Sequence, residues 1–146
     1  MEHKEAGNSL FSSGKYEDAV VEYSQGLLAS PDKEFTLTLL CNRAACHLKL
    51  DHFEECVLDC NMVLEKDPVN AKALFRRAQG HMGVMKVEKA YSDLKMLLDV
   101  DKTNKAAIDL IHKVRSMAQD MNSTSNQTMA LIDSIPSMAD ELQRGK

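Results

Sequence analysis

Tryptophan is absent from the 146-residue chain, aromatic residues make up only 5% of it, and there are just 6 glycines and 3 prolines. β-Sandwiches and barrels rich in tight turns need more of each, so strands are disfavoured from the outset. Long apolar runs are missing too: nothing approaches the roughly 18 residues of a membrane span. The opening Met1-Glu2-His3-Lys4-Glu5 carries no apolar secretory segment. The chain is therefore expected to be cytoplasmic, and the acceptor patterns Asn122-Ser123-Thr124 and Asn126-Gln127-Thr128 read as polar chain, not glycosylation sites. A cationic excess is also lacking, because 18 Lys and Arg stand against 22 Asp and Glu for a net charge of −4. That balance excludes a general nucleic-acid or membrane-surface binder, and any basic function must be local.

What is present is a core-forming fraction of 44% hydrophobic residues, 27% charged residues and 9 methionines. This is the profile of a globular helical chain. It is also repetitive. Gly14-Lys-Tyr-Glu-Asp-Ala19-Val-Val-Glu-Tyr23 is echoed by Asp51-His-Phe-Glu-Glu-Cys56-Val-Leu-Asp-Cys60 and by Met85-Lys-Val-Glu-Lys-Ala90-Tyr-Ser-Asp-Leu94. Tyr16, Phe53 and Val87, then Ala19, Cys56 and Ala90, then Tyr23, Cys60 and Leu94 all give intervals of 37 and 34 residues. Pro31 and Pro68 follow Leu27-Leu28 and Val63-Leu64, where a helix should stop.

Each unit reads as a helical hairpin. The spacing predicts helices over 4–13 and 16–30 with Gly14 at the turn, then about 34–50 and 53–66, then about 70–83 and 86–100. A seventh helix from Asn104 to about Met121 places Ala107, Leu110, Ile111, Val114 and Met117 on one face. An element apolar on one side only is what the open end of a solenoid requires. Residues 122–146 turn polar, then pass through Met129-Ala-Leu-Ile to Pro136, and read as a linker and the start of a further segment.

A period of 34 residues is that of the tetratricopeptide repeat (TPR), which this chain resembles over about residues 1–121. The resemblance implies an all-α, right-handed TPR superhelix of three helical hairpins (about 1–33, 34–69 and 70–103) plus a C-terminal capping helix (104–121). Lys4-Glu-Ala-Gly-Asn8, Asn42-Arg-Ala-Ala45 and Lys72-Ala-Leu-Phe-Arg76 match the carboxylate clamp of TPR co-chaperones. By that resemblance Lys4, Asn8, Asn42, Lys72 and Arg76 would hold the C-terminal Glu-Glu-Val-Asp (EEVD) of heat-shock protein 90 or 70. The chemistry is consistent, since the terminal aspartate presents two acceptor-only carboxylates that three cations and two amides can meet. Arg43 and Arg77, beside the clamp positions, either broaden the basic groove or pair with acidic residues on the next helix.

Asn42-Arg-Ala-Ala-Cys-His-Leu-Lys49, Lys72-Ala-Leu-Phe-Arg-Arg-Ala-Gln79 and the three extra residues after the first repeat look most like the N-terminal domain of the Unc-forty-five myosin co-chaperones. In that family a separate domain binds myosin, so this chain is expected to be a fragment or a short relative, with a myosin client reached only through a domain it lacks.

Rival chemistries fail on spacing. Cys56 and Cys60 fall at core positions of the repeat and lack a second knuckle, so no metal is expected. Gly7 to Gly14-Lys15 has the wrong length for a phosphate loop, and Asp99-Val-Asp101 has Leu110 where a calcium loop needs glutamate. His3, His47, His52, His81 and His112 show no orienting partner, so no enzyme and no cofactor is expected. The remaining alternative is a TPR scaffold that binds a partner through its apolar or convex surface, with the clamp unused.

Overall fold

The computed structural model of the chain describes residues 2–29 and 32–122. The described residues form α1 (Glu2–Ser12), α2 (Tyr16–Ala29), α3 (Lys33–Lys49), α4 (Phe53–Lys66), α5 (Ala71–Gly83), α6 (Val87–Val100) and α7 (Lys105–Asn122). No strand occurs among them, so the all-α class read from the sequence is the observed one. None of these helices is long and apolar enough to cross a membrane. Ser30 and Pro31, at the expected end of α2, and residues 123–146 lie outside the described residues.

Asn70 and Asn104, expected as first helical residues, stand just before their helices instead. Their Oδ1 atoms accept from the backbone N–H of Ala73 and Ala107, each at 3.0 Å. Asp32 starts α3 in the same way, accepting from the N–H of Glu34 and Phe35 at 2.9 and 3.4 Å. A side-chain oxygen that satisfies an orphaned N–H holds its own residue outside the helix, which moves the boundary by one. At the other end α7 runs one residue into the stretch read as linker, for neither Gly nor Pro stops it at Asn122.

All three hairpins turn by one device. Gly14, Asp51 and Met85 adopt left-handed backbone, with φ of 78°, 60° and 61°. In each turn the following N–H reaches back five residues, from Lys15 to the Leu10 carbonyl, His52 to His47 and Lys86 to His81, all at 2.8 Å. The N–H of Gly14, Asp51 and Met85 closes the inner bond to Phe11, Leu48 and Met82. This is the Schellman arrangement, which satisfies the last helical carbonyls and reverses the chain.

Each helix packs chiefly on its neighbours in sequence, but α3 also touches α1 and α5, so the first helices of the hairpins form one wall. One buried cluster, Ala19, Tyr23, Leu39 and Cys46, joins the first two hairpins. A larger one runs from Leu40 and Ala44 through Cys56, Cys60, Leu74, Ala78, Leu94 and Leu97 to Ala107, Ile111, Val114 and Ala118 of α7. Gly7, Ala44 and Ala78, spaced by 37 and 34 residues, are all buried where the paired helices meet. Small residues are needed there, since a Cβ on Gly7 would overlap the Tyr23 ring.

Candidate binding groove

The wall made by α1, α3 and α5 carries two adjoining hollows, and Asn42 lines both. The smaller, about 210 Å³, is bounded by Asn8, Phe11, Tyr23, Asn42, Ala45 and Arg76 among others. The larger, about 660 Å³, runs past Asn42 to Phe35, Thr38, Cys41, Asn70 and Lys72. Four of the five residues singled out from the sequence therefore line one or the other of two hollows that share Asn42. Lys4 lines neither hollow; it stands half-buried one turn before Asn8 on α1.

Asn42 Nδ2 donates to Asn8 Oδ1 at 3.3 Å, and the Tyr23 hydroxyl donates to the same oxygen. With its oxygen engaged twice, the exposed Asn8 amide keeps its NH₂ as the donor side. Tyr23 was legible in the sequence only as a core position. A buried tyrosine hydroxyl needs a partner, and that need could have pointed to Asn8. Burial, followed by the nearby Cys46, pushes the Tyr23 pKa up to about 12, so the hydroxyl keeps its proton. Arg76 Nη1 donates to the Cys41 carbonyl at 2.9 Å, which fixes the guanidinium across α3 and leaves most of its N–H groups for other acceptors.

The charge of the groove is mixed. Asp32, Glu34 and Asp67 share the larger hollow with Lys72, because the acidic start of α3 and the residue that closes α4 open onto it. The smaller hollow holds no carboxylate among its lining residues and holds Arg76. The groove thus offers its net positive end at Asn8, Asn42 and Arg76.

Of the two readings of Arg43 and Arg77, the structure takes the second. Arg43 donates to both carboxylate oxygens of Asp59 at 2.8 and 2.6 Å and to Ser24 Oγ at 3.1 Å. Arg77 repeats this with Asp93 at 2.9 and 2.6 Å and with Asn61 Oδ1 at 3.0 Å. Each arginine faces away from the groove and ties three helices together. His47 and His81 stand 3.7 Å from the same aspartates, and burial, outweighing those carboxylates, lowers both histidine pKa values. The four cysteines are buried and free, and burial raises the pKa of Cys41 and takes that of Cys46 up to about 11.

The nature of the scaffold follows from its likenesses. The first TPR of Spaghetti (RPAP3), solved with the HSP90 peptide SRMEEVD, matches with a TM-score of 0.73 at 30% identity, over 78% of this chain and 88% of that one. The chain belongs to the tetratricopeptide-repeat family. The myosin chaperone UNC-45 from C. elegans, solved in complex with a Hsp90 peptide, matches at TM-score 0.77 and 30% identity over 89% of this TPR chain and 14% of that protein. Sperm-associated antigen 1A of Danio rerio is 36% identical over 121 residues, 78% of this TPR domain. The chain spans only 28% of that relative's length. No family model matches it.

Proposed function

We propose that this TPR domain is the chaperone-binding module of a co-chaperone, and that its groove takes the C-terminal EEVD of heat-shock protein 90 or 70. The observation that carries the reading is the convergence of Asn8, Asn42 and Arg76 on one hollow with Lys72 on the next. The terminal aspartate is assigned to the smaller hollow, where two amides and a guanidinium converge, with Lys72 meeting an upstream carboxylate and Lys4 closing the site from α1. The peptides in the RPAP3 and UNC-45 structures support the assignment by analogy. Charge-assisted bonds contribute about 1.5–3 kcal/mol each. Ordering a flexible tail costs about 2–5 kcal/mol, so micromolar affinity, about −8 kcal/mol, is the expected scale.

In this reading the module acts in the cytoplasm, catalyses nothing, and couples the chaperone to a client through a further domain; myosin is the client suggested by the UNC-45 likeness. The rival reading, docking on the opposite face, has in its favour the exposed Leu28, Leu58, Met62, Met96 and Val100 on α2, α4 and α6.

Calorimetric titration with a Met-Glu-Glu-Val-Asp peptide separates the two. The free-acid peptide should bind at micromolar Kd and its C-terminal amide at least tenfold more weakly, roughly 1.4 kcal/mol. Lys72→Glu, at an exposed position, should abolish binding with an unchanged helical circular dichroism spectrum. Equal affinity for acid and amide would sink the clamp and leave the outer face.

A further inference from the structure

A second cluster of side chains lies at the α3–α4 turn, away from both hollows. One ligating atom from each of His47, His52 and Glu55 lies within 4.8 Å of the others. His47 sits in the last turn of α3, His52 stands at the start of α4 without using its side chain as a cap, and Glu55 lies in the first turn of α4. The two imidazoles are 5.7 Å apart between ring centroids, and His52 Nδ1 is 3.8 Å from Glu55 Oε2. His47 is 12% exposed and anchored, whereas His52 and Glu55 are 46% and 51% exposed and free to change rotamer.

We propose that His47, His52 and Glu55 form a site for a divalent transition-metal ion of the zinc class. Two imidazole nitrogens and a carboxylate oxygen are a donor set that zinc takes, leaving a fourth position for water. Ligand atoms about 2.0–2.2 Å from zinc stand roughly 3.3–3.6 Å apart in a tetrahedron. The trio must therefore contract somewhat, and the exposed His52 and Glu55 are the residues able to move. His47 is prepared for the role. Its Nε2 lies 3.7 Å from Asp59 Oδ2, too long for a hydrogen bond, and that aspartate is itself locked by Arg43, so a small shift of the ring would let it donate to a fixed carboxylate as metal-binding histidines do. Its Nδ1 is buried with no hydrogen-bond partner among the described residues.

The repeat supplies an internal comparison. One period later His47 becomes His81, with the same aspartate contact and the same unpartnered Nδ1. The positions of His52 and Glu55, however, are taken by Lys86 and Lys89, which line a hollow with His81 and Arg77. In the first repeat the three places hold Leu10, Lys15 and Asp18. The ligand set is thus peculiar to the second hairpin and is not part of the repeat's architecture. The inference is independent of the peptide reading, as none of the three residues lines the groove.

The test is calorimetric titration of the reduced full chain with zinc chloride, beside His52→Lys and Glu55→Lys, which copy the third repeat at exposed positions, and His52→Ala. Wild type should bind one zinc ion, with the affinity falling about tenfold or more in every variant. Zinc should raise the unfolding temperature of wild type and not of the variants, each of which keeps its helical circular dichroism. Cobalt(II) should give a spectrum without thiolate charge transfer, since the four thiols are buried. Absence of binding by wild type, equal zinc affinity across the set, or a cobalt spectrum dominated by thiolate would each overturn the site.

Discussion

Among the described residues three hold left-handed backbone, and of these only Gly14 does so without a steric penalty. Asp51 is a type that tolerates the region; Met85 is not, and its side chain is 52% exposed, with little packing to offset the strain. Met85→Gly should therefore stabilise the domain by about 0.5–1 kcal/mol, the relief of left-handed strain less the extra chain entropy of glycine. Urea unfolding would show this as a higher midpoint at constant slope; a lower midpoint would mean that the Met85 side chain carries packing its exposure conceals. Gly14 announced its turn in the sequence because glycine is the residue such turns select. Asp51 and Met85 did not, although the intervals of 37 and 34 residues from Gly14 place them in the same register. The groove residues behaved alike: Asn8, Asn42, Lys72 and Arg76 were legible as types at a spacing, whereas the Tyr23 hydroxyl that orients Asn8 depends on a distance no spacing reveals.

Between elements, Arg43 and Arg77 do the joining. Arg77 links Asp93 of α6 to Asn61 of α4 from its own place on α5, and Arg43 joins α2, α3 and α4 in the same way. From sequence alone a basic residue beside a clamp position looks like more clamp. Only the rotation of α3 and α5, set by which residues bury, turns the arginines toward the next helix. Asp93 is 5% exposed at its side chain and Arg77 23%, so removing the carboxylate strands a largely desolvated cation. Asp93→Ala should cost about 3 kcal/mol in urea unfolding, near the low end for a broken buried pair. Peptide affinity of the folded variant should stay at the wild-type value, because the tie faces away from the groove. Weaker peptide binding without loss of stability would instead place Arg77 in the groove.

Across the described residues, the period of the sequence was enough to foresee the six hairpin helices, since each hairpin repeats the same small and apolar positions, and the one-sided apolar face over 104–121 gave the seventh. Their boundaries were foreseen to within one or two residues; what blurred them was capping, which depends on where a side-chain oxygen points. An array built this way has no centre, and each unit rests mainly on its neighbours. At its C-terminal end α7 covers α6 with Ala107, Leu110, Ile111, Val114 and Ala118. Ile111 is 1% exposed, and Ile111→Ala should destabilise the domain by about 2–4 kcal/mol through lost burial and the cavity left behind. In a solenoid that loss should not spread evenly. Hydrogen exchange should show earlier opening of α6 and α7 while amides of α1 to α3 keep most of their protection, and groove affinity should be unchanged at temperatures where the variant is folded. A uniform fall in protection from α1 to α7 would show that the larger core cluster, which runs from α3 through α7, makes the domain one cooperative unit and not a chain of neighbouring pairs.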